Sequence, residues 1–161
     1  MQITVDNELK SYIRPLKDEE FEKLKESILI EGIRDPLVVW QGILLDGHHR
    51  YKIAQELGLE YKIVEIELPN KEAVKEWIIK NQLGRRNLTT EEASYYRGIL
   101  YESKKLNHGG DRNSSGQNAH LKTAEQIGKE YGVDEKTIRR DATYAKAVDK
   151  VAEEVGEEAR G

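Results

Sequence analysis

The stretch Leu44–Gly58, LLDGHHRYKIAQELG, runs from the end of an apolar strand pattern into an apolar-periodic helix. Between them stand an acid, a glycine, two adjacent histidines and an arginine: Asp46, Gly47, His48, His49 and Arg50. The first amides of a helix have no intrahelical partner and carry partial positive charge, so a strand-to-helix joint attracts an anion. Gly47 lets a bulky group approach the backbone. Arg50 adds a forked cation and either histidine adds a donor. That set suits a phosphate. A metal fits less well, because neighbouring histidines project in different directions. A histidine–carboxylate catalytic pair with Asp46 and an ordinary capped turn with solvated histidines remain as alternatives.

Outward from this joint the first half of the chain alternates strand and helix signals. MQITV alternates apolar and polar residues, as a short strand does. KDEEFEKLKESILIEG reads as a helix with Asp18 as N-cap, Glu19 and Glu20 at its positive end, Phe21, Leu24 and Ile28 on one face, and Gly32 as the exit. PLVVW and ILL flank Gln41-Gly42, which reads as a hairpin. Tyr51, Ala54 and Leu57 form the buried stripe of the helix that follows the joint, and Gly58 ends it. In YKIVEIEL the alternation puts Val64, Ile66 and Leu68 on one face of a strand and Glu65 and Glu67 on the other. Pro69-Asn70 starts a helix carrying Ala73, Val74, Trp77 and Ile78.

The second half reads as helical. TTEEASYYRGILYESKKL opens with a capping box from Thr89 to Glu92. Residues 107–122, NHGGDRNSSGQNAHLK, have little apolar content and read as a mobile loop. In TAEQIGKEYGVDEKTIRRDATYAKAV, Thr123 caps one helix, Gly128 allows a close crossing, Gly132-Val133 makes a turn and Asp134 caps a second helix. Ile138, Ala142 and Ala145 face inward with Ile127. Lys136, Thr137, Arg140 and Tyr144 face outward, with Arg139 beside them. This is a helix-turn-helix pattern whose outer face suits phosphates and base edges of duplex DNA. The alternative is a solvated helical hairpin.

Charge follows the same division. The 161 residues carry a net charge of −4. Residues 1–80 hold 12 basic and 16 acidic side chains, residues 81–150 hold 13 and 10, and the last eleven hold one and four. A basic second half is compatible with a nucleic-acid partner although the mean is acidic. With 37% apolar and 35% charged residues and no run of about 18 apolar residues, nothing in the sequence reads as a membrane span. The start lacks the basic-then-apolar order of a signal peptide. The absence of cysteine excludes disulfides, thiolate metal sites and thiol catalysis, and fits the cytoplasm.

Three motifs in order, EGIRDPLVVWQGILLDGHHRYKIAQELG, WIIKNQLGRRNLTTEEA and the helix-turn-helix pattern, resemble the ParB family of partition proteins. The likeness is greatest to ParB-like proteins of plasmids, phages and mobile elements, and covers residues 1–148. It implies an α+β chain. Residues 1–82 would form a ParB/sulfiredoxin-like domain with a small mixed sheet and flanking helices. Residues 83–150 would form an all-α helix-turn-helix domain, followed by an acidic tail over 151–161. The family's loop matching Asp46–Arg50 contacts nucleotide phosphates, which implies binding of a nucleoside di- or triphosphate, CTP or ATP, by Gly47, His48, His49 and Arg50. Sulfiredoxins need a loop cysteine, which this chain lacks. CTP-binding relatives have a metal-assisting acid and asparagine in the third motif. Here Lys80 stands at the acid's position and Asn81 remains, so magnesium is doubtful and Lys80 is itself a candidate phosphate ligand. Arg85 and Arg86 are candidates for nucleotide or DNA backbone.

The expected function is therefore a ParB-like protein that binds a nucleotide and reads double-stranded DNA as a homodimer, in partition or regulation. The rival is an enzyme of the same fold: a nucleotide hydrolase, a small-molecule kinase or a nuclease, with Glu31, Asp35 or Asp46 as the base. A third class is a regulator without nucleotide binding. The ending EEVGEEARG lacks a cap, which is expected of a fragment whose missing C-terminus helps to dimerise it.

Overall fold

The computed structural model describes residues 2–107 and 116–155. The chain divides into two compact units between Val74 and Lys75. The sequence placed the boundary after Gln82.

In the first unit, helix α1 (Asn7–Lys10) starts at Asp6, whose carboxylate accepts the Leu9 N–H at 3.0 Å. Over residues 2–5 the expected strand is reduced to a single bridge. Thr4 makes an isolated parallel bridge to Ile43, and Ile3 is buried. Helix α2 spans Asp18–Glu31. Its N-cap is Lys17 rather than Asp18, because the Glu20 carboxylate accepts the Lys17 N–H at 3.3 Å and so draws Asp18 into the first turn. Gly32, at φ 76°, ends the helix.

Strands β1 (Leu37–Trp40) and β2 (Ile43–Asp46) form an antiparallel hairpin. Gln41 and Gly42 both have positive φ, 48° and 78°, as a two-residue turn with the right twist requires. Strand β3 (Ile63–Glu65) pairs parallel to β1, and the sheet order is β2-β1-β3. Ile3, Leu37, Val39 and Leu44 make the core of this sheet, with Tyr51, Tyr61 and Ile63 packed on it. On β3 it is Ile63 that packs inward, while Val64, on the apolar face of the alternation, is 45% exposed. Helix α3 (His48–Leu57) follows β2 and ends at Gly58 in the left-handed region. Its deepest residues are His48, Ile53 and Ala54, with Tyr51 and Leu57 only partly buried.

Helix α4 (Lys71–Leu83) is capped by Asn70, which accepts the Ala73 N–H at 2.9 Å. Val74, Ile78 and Ile79 are its buried residues, together with Gln82. The second unit continues with α5 (Thr90–Asn107), α6 (Gly116–Tyr131) and α7 (Glu135–Val155). Thr89 caps α5 by accepting the Glu92 N–H at 3.1 Å. The loop expected over 107–122 is corrected in part: Asn107 closes α5 and residues 116–122 are helical, while residues 108–115 lie outside the described residues. Thr123 is accordingly inside α6 and buried, not at its cap. The polar composition of this stretch concealed the longer helix.

The turn between α6 and α7 is as the glycines suggested. Gly132 has φ 70°, and the Val133 N–H donates to the Gly128 carbonyl at 2.9 Å. A Cβ on Gly128 would lie 2.6 Å from the Val133 carbonyl oxygen, so the close approach it permits is to the turn itself. Asp134 caps α7 by accepting the Lys136 N–H at 3.0 Å. Ile127, Ile138, Ala142 and Ala145 are buried, as their 3.6-residue spacing requires.

Candidate functional site

The joint is built by β2, one glycine and the first turn of α3. Gly47 is the N-cap, at φ 96° and ψ 25°, a conformation that costs an L side chain strain. The first intrahelical bond is Tyr51 N–H to Gly47 carbonyl, 2.8 Å, so the amides of His48, His49 and Arg50 precede the ladder. The glycine is also required by space. A Cβ there would meet Leu37 Cδ2 at 2.5 Å and Arg50 Nη2 at 3.0 Å. The Arg50 guanidinium thus lies against the glycine at the start of the helix.

Arg50 is held by two carboxylates, Asp46 at 3.2 Å and Asp35 at 3.7 Å. Asp46 is largely buried with it, whereas the Asp35 side chain is 87% exposed. A phosphate at the helix start would exchange places with these carboxylates on a guanidinium suited to bidentate contact with either anion. The two histidines separate. His49 Nε2 lies 3.1 Å from the Arg14 carbonyl oxygen, which orients its ring. His48 is 7% exposed, and neither of its ring nitrogens has a hydrogen-bond partner. Burial pushes its pKa down to about 4, helped by His49 and Lys10 and opposed by Asp46. The ring is therefore neutral at pH 7. Sequence reasoning missed Arg14 and Lys10, which reach the histidines only through tertiary structure.

The other candidates stand as follows. Glu31, at the end of α2, is exposed and pairs with Arg34 at 3.6 Å. Each of the acids named as a possible base, Glu31, Asp35 and Asp46, is thus paired with an arginine. Lys80 pairs with Glu76 one turn back, at 3.2 Å, and Lys104 reaches the same carboxylate at 3.5 Å. Asn81 is half-buried on α4. Both residues belong to the second unit, whereas Gly47–Arg50 belong to the first. Arg85 and Arg86 are exposed between α4 and α5. Among the described residues no group of three or more His, Asp or Glu side chains comes together as a metal site.

On α7, Lys136 and Arg140 are exposed and neither side chain is in an ion pair among the described residues. Thr137 is half-buried and Tyr144 is 39% exposed. Arg139 is tied to Glu135 at 3.3 Å. Gln82 and the Arg97–Asp141 pair escaped sequence reasoning. Gln82 is fully buried on α4, with neither side-chain amide atom hydrogen-bonded. Arg97 on α5 donates to the Asp141 carboxylate on α7 at 2.7 Å. Nothing local distinguishes either from a surface polar residue. Among the described residues no helix is long and apolar enough to cross a membrane.

No family model and no curated protein matches the sequence. Solved structures do. A Pnob8-like ParB-N domain, crystallised in a C2221 form, superposes with a TM-score of 0.69 at 17% identity, over 94% of this chain and 69% of that one. A C-terminally truncated chromosome-partitioning protein ParB from Caulobacter crescentus, complexed with CTP-γ-S, gives 0.45 at 20% identity, over 98% and 85%. At these identities the likeness is one of fold, and by the first of the two this α+β chain has the ParB-N fold.

Proposed function

We propose that this chain is a ParB-like DNA-binding protein in which the phosphates of a nucleoside di- or triphosphate bind at Gly47–Arg50 and α6 and α7 read duplex DNA. The observation that carries the nucleotide half is the start of α3. A left-handed glycine, three amides ahead of the helical ladder and a guanidinium against the glycine meet there, and the first residue of the helix, His48, carries a buried imidazole without partners. Arg50 is the charged ligand, released from Asp46 and Asp35 as the phosphate arrives. Lys80, Asn81, Arg85 and Arg86 are further candidates for nucleotide or DNA backbone. The domain roles follow: residues 1–82 bind nucleotide and residues 83–150 bind DNA. The protein acts in the cytoplasm, as a homodimer, in partition or regulation of mobile DNA.

Calorimetry with ATP, CTP and ADP, with and without magnesium, tests the nucleotide half. Arg50→Ala is expected to lose a charge-assisted contact of about 1.5–3 kcal/mol, roughly a 10- to 150-fold drop in affinity. If wild-type protein binds no nucleotide at millimolar concentration, with or without duplex DNA, the joint is a structural turn.

The DNA half rests on the outward face of α7, where Lys136, Thr137, Arg140 and Tyr144 project beside a buried apolar stripe. Lys136 and Arg140 are free of ion pairs among the described residues and so available to phosphates and base edges, whereas Arg139 must first leave Glu135. Binding to duplex DNA is expected to weaken steeply as salt rises, because each neutralised phosphate releases counterions. Arg140→Ala is expected to cost about 1–3 kcal/mol on a specific site if it reads a base bidentately. Unchanged DNA affinity in the Lys136→Ala, Arg140→Ala double variant would show that this face does not read DNA.

A further inference from the structure

His48 is buried at the first turn of α3 with Nδ1 and Nε2 both unpartnered. A neutral imidazole carries one donor and one acceptor, and leaving both unmade in a buried place is unfavourable. The charged groups acting on it come from three elements. Lys10, at the end of α1, and His49, beside it on α3, oppose a positive charge on the ring, and Asp46, at the end of β2, favours one. The carboxylate that would support an imidazolium is committed to Arg50 at 3.2 Å. The protein without ligand therefore keeps this ring uncharged and without partners, next to a helix start that attracts anions.

A phosphate changes each part of that balance. It adds up to two negative charges and three acceptor oxygens. By taking Arg50 it frees Asp46 to face the ring. We propose that the phosphate binds at Gly47–Arg50 together with a proton, which His48 takes from solvent so that both ring nitrogens become donors. No other bond is made or broken. The proposal rests on the nucleotide reading above and deepens it: the site recognises an anion plus a proton, and its affinity is set by pH.

The sign follows from linkage. The free ring titrates at about 4, and the bound ring titrates higher. At any pH between the two values the complex holds more protons than its separated parts. Affinity is then greatest on the acid side and falls as pH rises through the bound-state value, by at most about tenfold per pH unit. The nucleotide's terminal phosphate has its own ionisation near pH 6, so the measurement belongs above pH 7 and needs a variant without the ring.

CTP and ATP are titrated calorimetrically into the full chain at pH 7.5 in buffers of widely different ionisation heat. The observed heat is expected to vary linearly with buffer heat, with a slope corresponding to uptake of a fraction of a proton. In His48→Gln the slope falls to zero, while weaker binding persists through Arg50 and the helix amides. Wild-type affinity falls between pH 7 and 8.5 more steeply than that of the variant. A proton NMR titration of the histidine rings in the wild-type protein gives a readout that does not depend on the variant's folding. One low-titrating ring is expected to move to a higher pKa when nucleotide is added. Binding whose heat is independent of buffer, uptake that persists in His48→Gln, or no histidine whose titration moves each overturns the proposal and leaves the nucleotide reading standing. Absence of binding by both nucleotides overturns that reading instead, and the proposal with it.

Discussion

Asp141→Ala is expected to lower the stability of the helical unit by about 3–5 kcal/mol, the cost of leaving a buried charge without its partner. Asp141 is 4% exposed on α7, and its carboxylate accepts Arg97 Nε at 2.7 Å. The Arg97 side chain is itself largely buried on α5, with Ser94 Oγ as a weaker partner at 3.4 Å. Water cannot readily replace the lost carboxylate, because the two helices touch backbone to backbone here. A Cβ on Gly98 would collide with the Asp141 carbonyl. Asp141→Asn keeps an acceptor for the Arg97 N–H and loses only the carboxylate's charge, so it is expected to cost less than Asp141→Ala. Glu135→Ala removes the exposed partner of Arg139 and is expected to cost under about 1 kcal/mol. Urea unfolding measures all three, as a shift of midpoint at constant slope. A midpoint for Asp141→Ala equal to that of Glu135→Ala would show that the pair contributes no more than a surface contact. Asp141 follows Arg140, so the same pair fixes how α7 is rolled and where Arg140 projects.

That pair also marks where the sequence stops being readable. Its partners are 44 residues apart, and each looks like a polar residue on a helix surface. Features settled within a few residues were legible. Gln41-Gly42 needs two positive φ values, Asn70, Thr89 and Asp134 each cap their own helix, and Ile138, Ala142 and Ala145 fall on one helical face. The joint at Gly47 was legible for the same reason, since a strand must end and a helix begin there. Which histidine is buried was not. His48 and His49 differ by one position, and tertiary packing decides between them, with Arg14 lying 35 residues away from His49. Which face of β3 turns inward was not legible either, because alternation gives a period and not a phase: the pairing of Leu37 with Ile63 sets it. Thr123 was misread because polar composition says little about a helix whose buried side is supplied by its neighbours.

Gly47→Ala is expected to destabilise the N-terminal unit by about 2–5 kcal/mol, from two separate causes. Holding alanine at φ 96° costs about 1–2 kcal/mol. The added methyl would stand 2.5 Å from Leu37 Cδ2, and Leu37 is fully buried in the sheet core, so overpacking adds about 1–3 kcal/mol. The same methyl would lie 3.0 Å from Arg50 Nη2, the guanidinium proposed to hold the phosphate. It obstructs what a phosphate would use there, so nucleotide affinity is expected to fall at least as far as in Arg50→Ala. Gly58→Ala separates the causes. Gly58 has φ 65° at the other end of α3, with nothing within 4 Å of the position of a Cβ. It should pay the backbone strain of about 1–2 kcal/mol alone and bind nucleotide as wild type does. If Gly47→Ala unfolds at the same urea concentration as Gly58→Ala, Leu37 makes room at no cost. If it also binds nucleotide as wild type does, the phosphates do not lie at the start of α3.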